Sequence, residues 1–413
     1  MKFYFPDSQD QISPTYDFIH DEHSPLRVRQ RDDRYAHEVL RVPAYDGILV
    51  SKAIVDGSAK GVGKYSMPQR QRLYRLGVRG FFRLPEDVAT LGDCGSFTYV
   101  NDSQPPYSVE EVLDFYEQCG FDAGVSIDHV ILGFRRDLKD PPEEWKQRRL
   151  ASLSLAEQFK AEAEKRRTKL QLVGAAQGWD PASYADSVRQ LQDMGYRRIA
   201  LGGMVALKTT DILACLLTID RIRAPETELH LLGITRFDAM AEFQSLGVTS
   251  FDSTSAFRQA FMDERDNYHT LERTYAAIKV PQVDGNVRLK RSILSGQISQ
   301  QEAIAAERRS LQALRAYDRG DLSLEETLDA VIAYEDVIGV KKSYRDQYTE
   351  TLEAAPWRTC RCGLCEKHGI EMVIFRASER NKRRGFHNLS VLAEKMRTLP
   401  RPKTPILERT ASG

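Results

Sequence analysis

No long uninterrupted apolar run occurs in the 413 residues, which argues against a membrane-spanning helix. The amino terminus, Met1 to Asp10, carries acidic and polar residues where a secretory signal needs its apolar core. Net charge is missing too. The 59 basic residues balance 59 acidic ones, so no global field marks a nucleic-acid partner, and such a contact must rest on local clusters. Cysteine is scarce, with six in all, of which Cys94, Cys119 and Cys215 are scattered. That distribution argues against a disulfide framework and fits a reducing compartment. The expectation is a cytoplasmic protein with no membrane association.

The other three cysteines are concentrated. Cys360-Arg361-Cys362-Gly363-Leu364-Cys365 places three thiols within six residues, and histidines follow at 368 and 387. Tetrahedral zinc is held by thiolates and imidazole at about 2.0–2.3 Å, so this is the pattern of a Cys3His site whose fourth ligand is either histidine.

From Gly47 onward, short apolar runs alternate with amphipathic stretches. The runs are Ile48–Val50, Val78–Phe82, Thr90–Asp93, Gly124–Asp128, Leu170–Ala175, Arg198–Leu201, Leu229–Leu232 and Val248–Phe251. Helical patterns such as Pro181–Met194 and Thr209–Ile222 separate the later ones. Strand and helix in repetition imply a parallel sheet covered by helices, and eight strands favour a (β/α)8 TIM-type barrel. The second and third runs are crowded, with almost no room for a helix between them. Composition shifts after Lys279, and capping boxes at Ser299-x-x-Glu302 and Ser323-x-x-Glu326 each open an amphipathic helix. The expected organisation is an irregular arm over 1–45, a barrel over 46–290, a helical insertion over 291–353, a zinc-binding subdomain with a closing helix over 354–400, and a tail over 401–413.

In such a barrel the residues just past the carboxyl ends of the strands share one mouth. The candidates there are Asp93, Asp128, Gln177-Gly178, Gly202-Gly203-Met204, Gly233 and Asp252. Any one aspartate ending a strand could simply cap the next helix. Several polar strand ends together suit a polar, planar ligand, with glycines admitting close backbone approach. Two carboxylates across a sugar support glycosyl transfer with a covalent intermediate, and a planar heterocycle is a natural leaving group.

These residues resemble the tRNA-guanine transglycosylases, and within them the DpdA-like branch that acts on DNA. Asp93-Cys94-Gly95-Ser96-Phe97, Ala176-Gln177-Gly178 and Leu201-Gly202-Gly203-Met204 are similar to the family's Asp-Ser-Gly-Gly-Phe, Val-Gln-Gly and Gly-Gly-Leu motifs. Asp252 falls at its nucleophile, and Phe5-Pro6-Asp7-Ser8-Gln9-Asp10 resembles the DNA-acting branch. The resemblance implies exchange of guanine for a 7-deazaguanine base through a glycosyl-aspartate. Asp252 would be the nucleophile and Asp93 the general acid/base; Asp128, Gln177, Gly203 and Met204 would bind the base, and Phe97 would stack on it. It also implies a structural Zn2+ on Cys360, Cys362, Cys365 and His387, preferring His387 to His368. DNA is the expected substrate and tRNA the alternative, with a homodimer and an ATPase-like partner protein also implied. A non-catalytic zinc-containing subunit that binds nucleic acid is the alternative outside enzymology.

The sequence departs from the family in three places. Val130 stands where a cysteine is usual, Ser255-Ala256-Phe257-Arg258 replaces Pro-Thr-Arg-Asn, and Lys208 takes the place of a glutamate that favours an aminomethyl cation. A lysine there would repel an ammonium group, so 7-cyano-7-deazaguanine is the expected incoming base. Three basic clusters, at Arg70–Arg83, Lys146–Arg149 and Arg380–Arg384, are the candidate phosphate contacts.

Overall fold

The computed structural model describes residues 1–7, 10–58, 61–136 and 138–399. The tail expected over 401–413 therefore lies outside the described residues, as do Ser8 and Gln9. The chain divides into two compact units. Among the described residues, one unit holds those within 1–7, 45–254 and 396–399; the other holds 10–44 and 255–395.

The first unit is a closed barrel of eight parallel strands. They are β1 (Lys2–Pro6), β2 (Gly47–Ser51), β3 (Ala89–Asp93), β4 (Ala123–Val125), β5 (Gln171–Ala176), β6 (Arg198–Leu201), β7 (Glu228–Leu231) and β8 (Val248–Asp252). Neighbours in sequence are neighbours in the sheet, and β1 closes the ring between β2 and β8. The helices that follow them include α1 (Met67–Phe82), α2 (Val109–Cys119), α3 (Glu143–Arg166), α4 (Pro181–Asp193), α5 (Thr209–Asp220) and α6 (Met240–Ser245). The expected TIM-type barrel is present, with one strand reassigned. Val78–Phe82 is not a strand but the last turns of α1 beyond a kink at Gly77, whose φ is +68°. Val78, Phe81 and Phe82 are buried at spacings of three and four residues, the helical period. The missing strand lies at the amino terminus, within the stretch expected to be irregular. Phe3, Tyr4 and Phe5 are all buried, as a parallel strand covered on both faces requires.

Tyr4, Leu49, Leu91, Ala123, Val125, Val173, Ala175 and Ala200 pack in the barrel interior. On the outside, Gly92 and Gly124 leave room for one aromatic ring. A Cβ at either position would meet Tyr116 of α2 at 2.3 or 2.4 Å. Tyr116 thereby lies flat on β3 and β4, and its hydroxyl donates to the Val125 carbonyl at 2.9 Å.

The barrel unit ends at Thr254 rather than at 290, and residues 10–44 belong with the second unit. Side-chain hydrogen bonds account for both boundaries. Asn388 Nδ2 donates to the carbonyls of Ala256 and Asn267, each at 3.1 Å, and Glu379 accepts the Ser13 N–H at 3.0 Å. This unit contains α7 (Ser255–Met262), α8 (Val287–Leu294), α9 (Gln300–Arg319), α10 (Leu324–Val337), α11 (Arg345–Ala354) and α12 (Ala377–Thr398). Ser299 caps α9 by accepting the Glu302 N–H, and Ser323 and Glu326 form the reciprocal box that opens α10. The insertion and the cysteine-rich segment share this unit, joined by Arg315 to Glu371 at 2.7 Å and Trp357 to Asp318 at 2.8 Å.

The arginines of the Arg380–Arg384 cluster do not form a phosphate surface. Arg380, Arg383 and Arg384 on α12 are fully buried. Arg380 pairs with Glu371 and Asp21, Arg383 with Glu379, and Arg384 donates to the Ala260 carbonyl at 2.6 Å. Buried cations need such partners; Glu371 and Glu379 lie nearby in sequence, whereas Asp21 and Ala260 are brought in from far along the chain. In the Lys146–Arg149 cluster, Arg148 is spent on the carbonyls of Val130 and Val100 and Arg149 on Asp186.

Gly124→Ala should lower the thermal midpoint by several degrees, because the added methyl displaces Tyr116; overpacking of this kind costs about 1–3 kcal/mol. Calorimetry checks it. Ala at Gly120, where nothing lies within 4 Å of a built Cβ but φ is +68°, reports backbone strain alone and should cost less.

Candidate active site

Each candidate aspartate ends or directly follows a barrel strand, and each is tied by donors from a neighbouring turn. Asp93 ends β3. Its Oδ2 accepts from Ser51 Oγ at 2.8 Å and from the Gly95 N–H at 2.9 Å. Gly95 can turn its N–H back because it sits at φ +79°, where a Cβ would also press on Ala53 at 3.0 Å. Asp128 follows β4 and accepts from Gln177 Nε2 at 2.6 Å and from Ser96. The amide oxygen of Gln177 in turn accepts the Ile131 N–H at 3.2 Å. Gly202 and Gly203 follow β6 beside this pair. A Cβ on Gly202 would meet Gln177 Nε2 at 2.1 Å, and one on Gly203 would meet the Ile131 carbonyl at 2.4 Å. Strands β4, β5 and β6 thus bring Asp128, Gln177 and Gly203 together, as the strand-end rule predicted.

Asp252 ends β8. Its Oδ1 accepts from the Gly233 N–H at 3.0 Å and lies 3.1 Å from His230 Nε2. The three carboxylates feel one another. Burial, opposed by the Ser51 bond and reinforced by the charge of Asp252, raises Asp93 to about 6. Burial and the charge of Asp93 raise Asp128 to about 7. Two groups that gain or lose a proton near neutrality therefore stand at the same mouth, as acid–base work requires.

Of the remaining candidates, Met204 is fully buried, whereas Phe97 is half exposed on the turn after Asp93. Leu132 and Val205, also just past strand ends, are similarly exposed. Lys208 is exposed at the N-terminus of α5, and Val130 is buried. Sequence reasoning missed the residues that hold the aspartates, namely Ser51, Ser96 and His230. His230 carried a usable signal, being the one polar residue inside the apolar run Leu229–Leu232.

The second unit carries the Cys3His group. The ligand atoms of Cys360, Cys362, Cys365 and His387 all lie within 4.8 Å of one another, with His387 Nδ1 at 3.4 Å from Cys360 Sγ and 3.5 Å from Cys365 Sγ. The two histidine–thiol separations match the edges of a tetrahedron with bonds of about 2.0–2.3 Å. The other ring nitrogen, Nε2, lies 2.7 Å from the His269 carbonyl. A carbonyl can only accept, so Nε2 carries the proton and Nδ1 turns a lone pair toward the thiols. Tyr268 stacks on the ring with centroids 4.1 Å apart. The donor set fits a metal ion and suits zinc. His368 packs edge-on against Phe18 instead.

No family model matches the chain. A curated DNA-guanine transglycosylase from Salmonella montevideo is 47% identical over 404 residues, covering 96% of this chain and 96% of that protein.

Purified protein should contain one metal equivalent per chain by elemental analysis. Cys365→Ser should lose the metal and His368→Ala should keep it. A second expectation concerns acidity. Asp128 is raised from 3.8 to about 7, so the folded chain holds a proton that the unfolded chain releases. Its favourable contribution is complete below about pH 4 and lost as pH rises to about 7. Asp128→Asn should therefore match the wild type near pH 4 and exceed it at pH 8, by on the order of 2–4 kcal/mol. Denaturant melts at both pH values measure the difference.

Proposed function

The chain belongs to the guanine transglycosylase family, in its DpdA-like branch, and from that premise we propose that it exchanges guanine in DNA for a 7-deazaguanine through a covalent glycosyl-aspartate. The observation that carries this reading is the arrangement of Asp252 and Asp93 at one barrel mouth, one carboxylate anchored through a single oxygen and the other raised to about 6.

The target nucleotide leaves its stack, at a cost of a few kcal/mol, and its base enters the mouth. Asp128 accepts from the guanine N1–H and amino group, while Gln177 and the Gly203 backbone meet the opposite edge and Phe97 stacks at the rim. Asp252 attacks C1′. The C1′–N9 bond breaks, its electron pair goes to N9, and protonated Asp93 supplies the proton there. Guanine departs, leaving the sugar as an ester of Asp252. The incoming base then gives its N9 proton to the Asp93 carboxylate, N9 attacks C1′, and the ester bond breaks to return Asp252. Each proton and electron pair is restored, so the exchange needs no oxidant or energy source.

A lysine at 208 would repel the like charge of an aminomethyl substituent, which favours 7-cyano-7-deazaguanine as the incoming base. Zinc on Cys360, Cys362, Cys365 and His387 supplies structural cross-linking when bound, since four protein donors leave no open position for water. A homodimer and an ATPase-like partner that opens duplex DNA complete the proposal.

Mass spectrometry of nucleosides, after incubation of the protein with DNA or tRNA and either base, tests it. The expected outcome is 7-cyano-7-deazaguanine in DNA and none in tRNA, with the aminomethyl base used poorly. Asp252→Asn should lose at least about 10³-fold in turnover and form no DNA–protein adduct on acid quench. Product in tRNA alone, or an Asp252→Asn protein that still exchanges, overturns the reading.

A further inference from the structure

Strands β1 and β6 are not neighbours in the sheet, yet their side chains meet across the barrel interior. Arg198 Nη2 on β6 lies 3.2 Å from Tyr4 Oη on β1 and 3.4 Å from Ser250 Oγ on β8. Ser250 Oγ lies 2.8 Å from His230 Nδ1, and His230 Nε2 lies 3.1 Å from Asp252 Oδ1. His230 is fully buried, with its ring edge-on to Tyr4 at 5.7 Å.

The direction of these bonds follows from chemistry. A guanidinium has only donors, so Ser250 Oγ accepts from Arg198 and keeps its own hydrogen for His230 Nδ1. Nδ1 is then the acceptor, and the imidazole proton belongs on Nε2. The other end agrees, because a lone pair on Nε2 would face the carboxylate oxygen of Asp252 acceptor to acceptor. Burial also holds the His230 pKa below its ordinary value, against the pull of Asp252, and keeps the ring neutral.

We infer that His230 is a positioning residue: the chain Arg198–Ser250–His230 fixes its proton on Nε2, so that Nε2–H and the Gly233 N–H together pin Oδ1 of Asp252 and leave Oδ2 as the attacking oxygen. This rests on the nucleophile assigned to Asp252 above. A carboxylate held through one oxygen has a defined orientation before substrate arrives, which removes a search from the chemical step. The donor also tempers the nucleophile and stabilises it as the leaving carboxylate when the ester is resolved.

Two measurements test it, one of them independent of catalysis. Nitrogen-15 spectra of the imidazoles in the free full-length protein, with the His230 signal assigned by its absence from His230→Gln, should show a neutral ring protonated at Nε2. Ser250→Ala, which removes the donor to Nδ1, should shift the Nδ1 signal toward that of a free imine nitrogen while Nε2 keeps its proton. In the exchange assay, His230→Leu should lower kcat roughly 10- to 100-fold while leaving KM for DNA and base within about twofold. His230→Gln, whose amide N–H can reach the same oxygen, should recover most of that loss. A ring protonated at Nδ1 or at both nitrogens overturns the inference, as does His230→Leu with wild-type kcat. Should His230→Leu fail to fold, the spectra and His230→Gln still decide. A wild-type protein that exchanges no guanine in DNA would refute the proposed function, whereas the tautomer result would stand or fall by itself.

Discussion

Three carboxylates buried at the mouth of one barrel repel one another, and the site depends on how that repulsion is distributed. Each aspartate has its own donors: Ser51 and Gly95 for Asp93, Gln177 and Ser96 for Asp128, His230 and Gly233 for Asp252. Burial and mutual charge outweigh these donors at Asp93 and Asp128, so both keep a proton to about pH 6–7. A group in that range can give a proton to a departing base and take one from an arriving base without a large penalty in either direction. Spacing among the three is set by barrel closure, which β1 completes by pairing with β2 and β8 at once. Lys2–Pro6 is therefore as necessary to the mouth as the aspartates themselves.

What was legible in the sequence follows from how local each signal is. Asp93, Asp128, Gln177 and Asp252 stand out because a polar residue interrupts or ends an apolar run, and the strand-end rule turns that into one location. The Cys3His group and the capping serines at 299 and 323 are equally local. Val78–Phe82 misled because a five-residue apolar run cannot be assigned to strand or helix by its period, and Gly77 hid the helix that precedes it. β1 was missed because its strand character comes from partners at Gly47–Leu49 and Ser250–Asp252. The arginines of α12 were misread for a related reason. A run of basic residues looks solvated until Asp21, 359 residues away from Arg380, is seen to lie against it.

Helix α12 is the spine of the second unit. It carries His387 toward the three cysteines, Asn388 toward Ala256 and Asn267, and Arg380, Arg383 and Arg384 into the interior. Removing one member of a buried ion pair leaves the other uncompensated, at about 3–5 kcal/mol, so these pairs enforce a single packing even where they add little net stability. A metal at the Cys3His group would add a cross-link to the same helix, since the ring that offers Nδ1 is held through Nε2 to the segment at His269. Ion pairs and metal thus fix α12 at different points along its length.

The barrel interior is unequal in the same functional sense. One side is filled by small apolar residues such as Ala123, Val125, Val173 and Ala175; the other holds Arg198, His230 and Ser250. An apolar filling would be the more stable choice, because a buried guanidinium is expensive even when paired, and Arg198 Nε has no hydrogen-bond partner among the described residues. Folds keep locally unfavourable groups where function requires them. Here the polar side runs directly to Asp252, whereas the apolar side lies below Asp93 and Asp128, which are held by donors in the loops instead. The division separates two environments: Asp93 and Asp128 are raised by burial and neighbouring charge and held by donors in the loops, while Asp252 is reached from within the barrel by a line of donors.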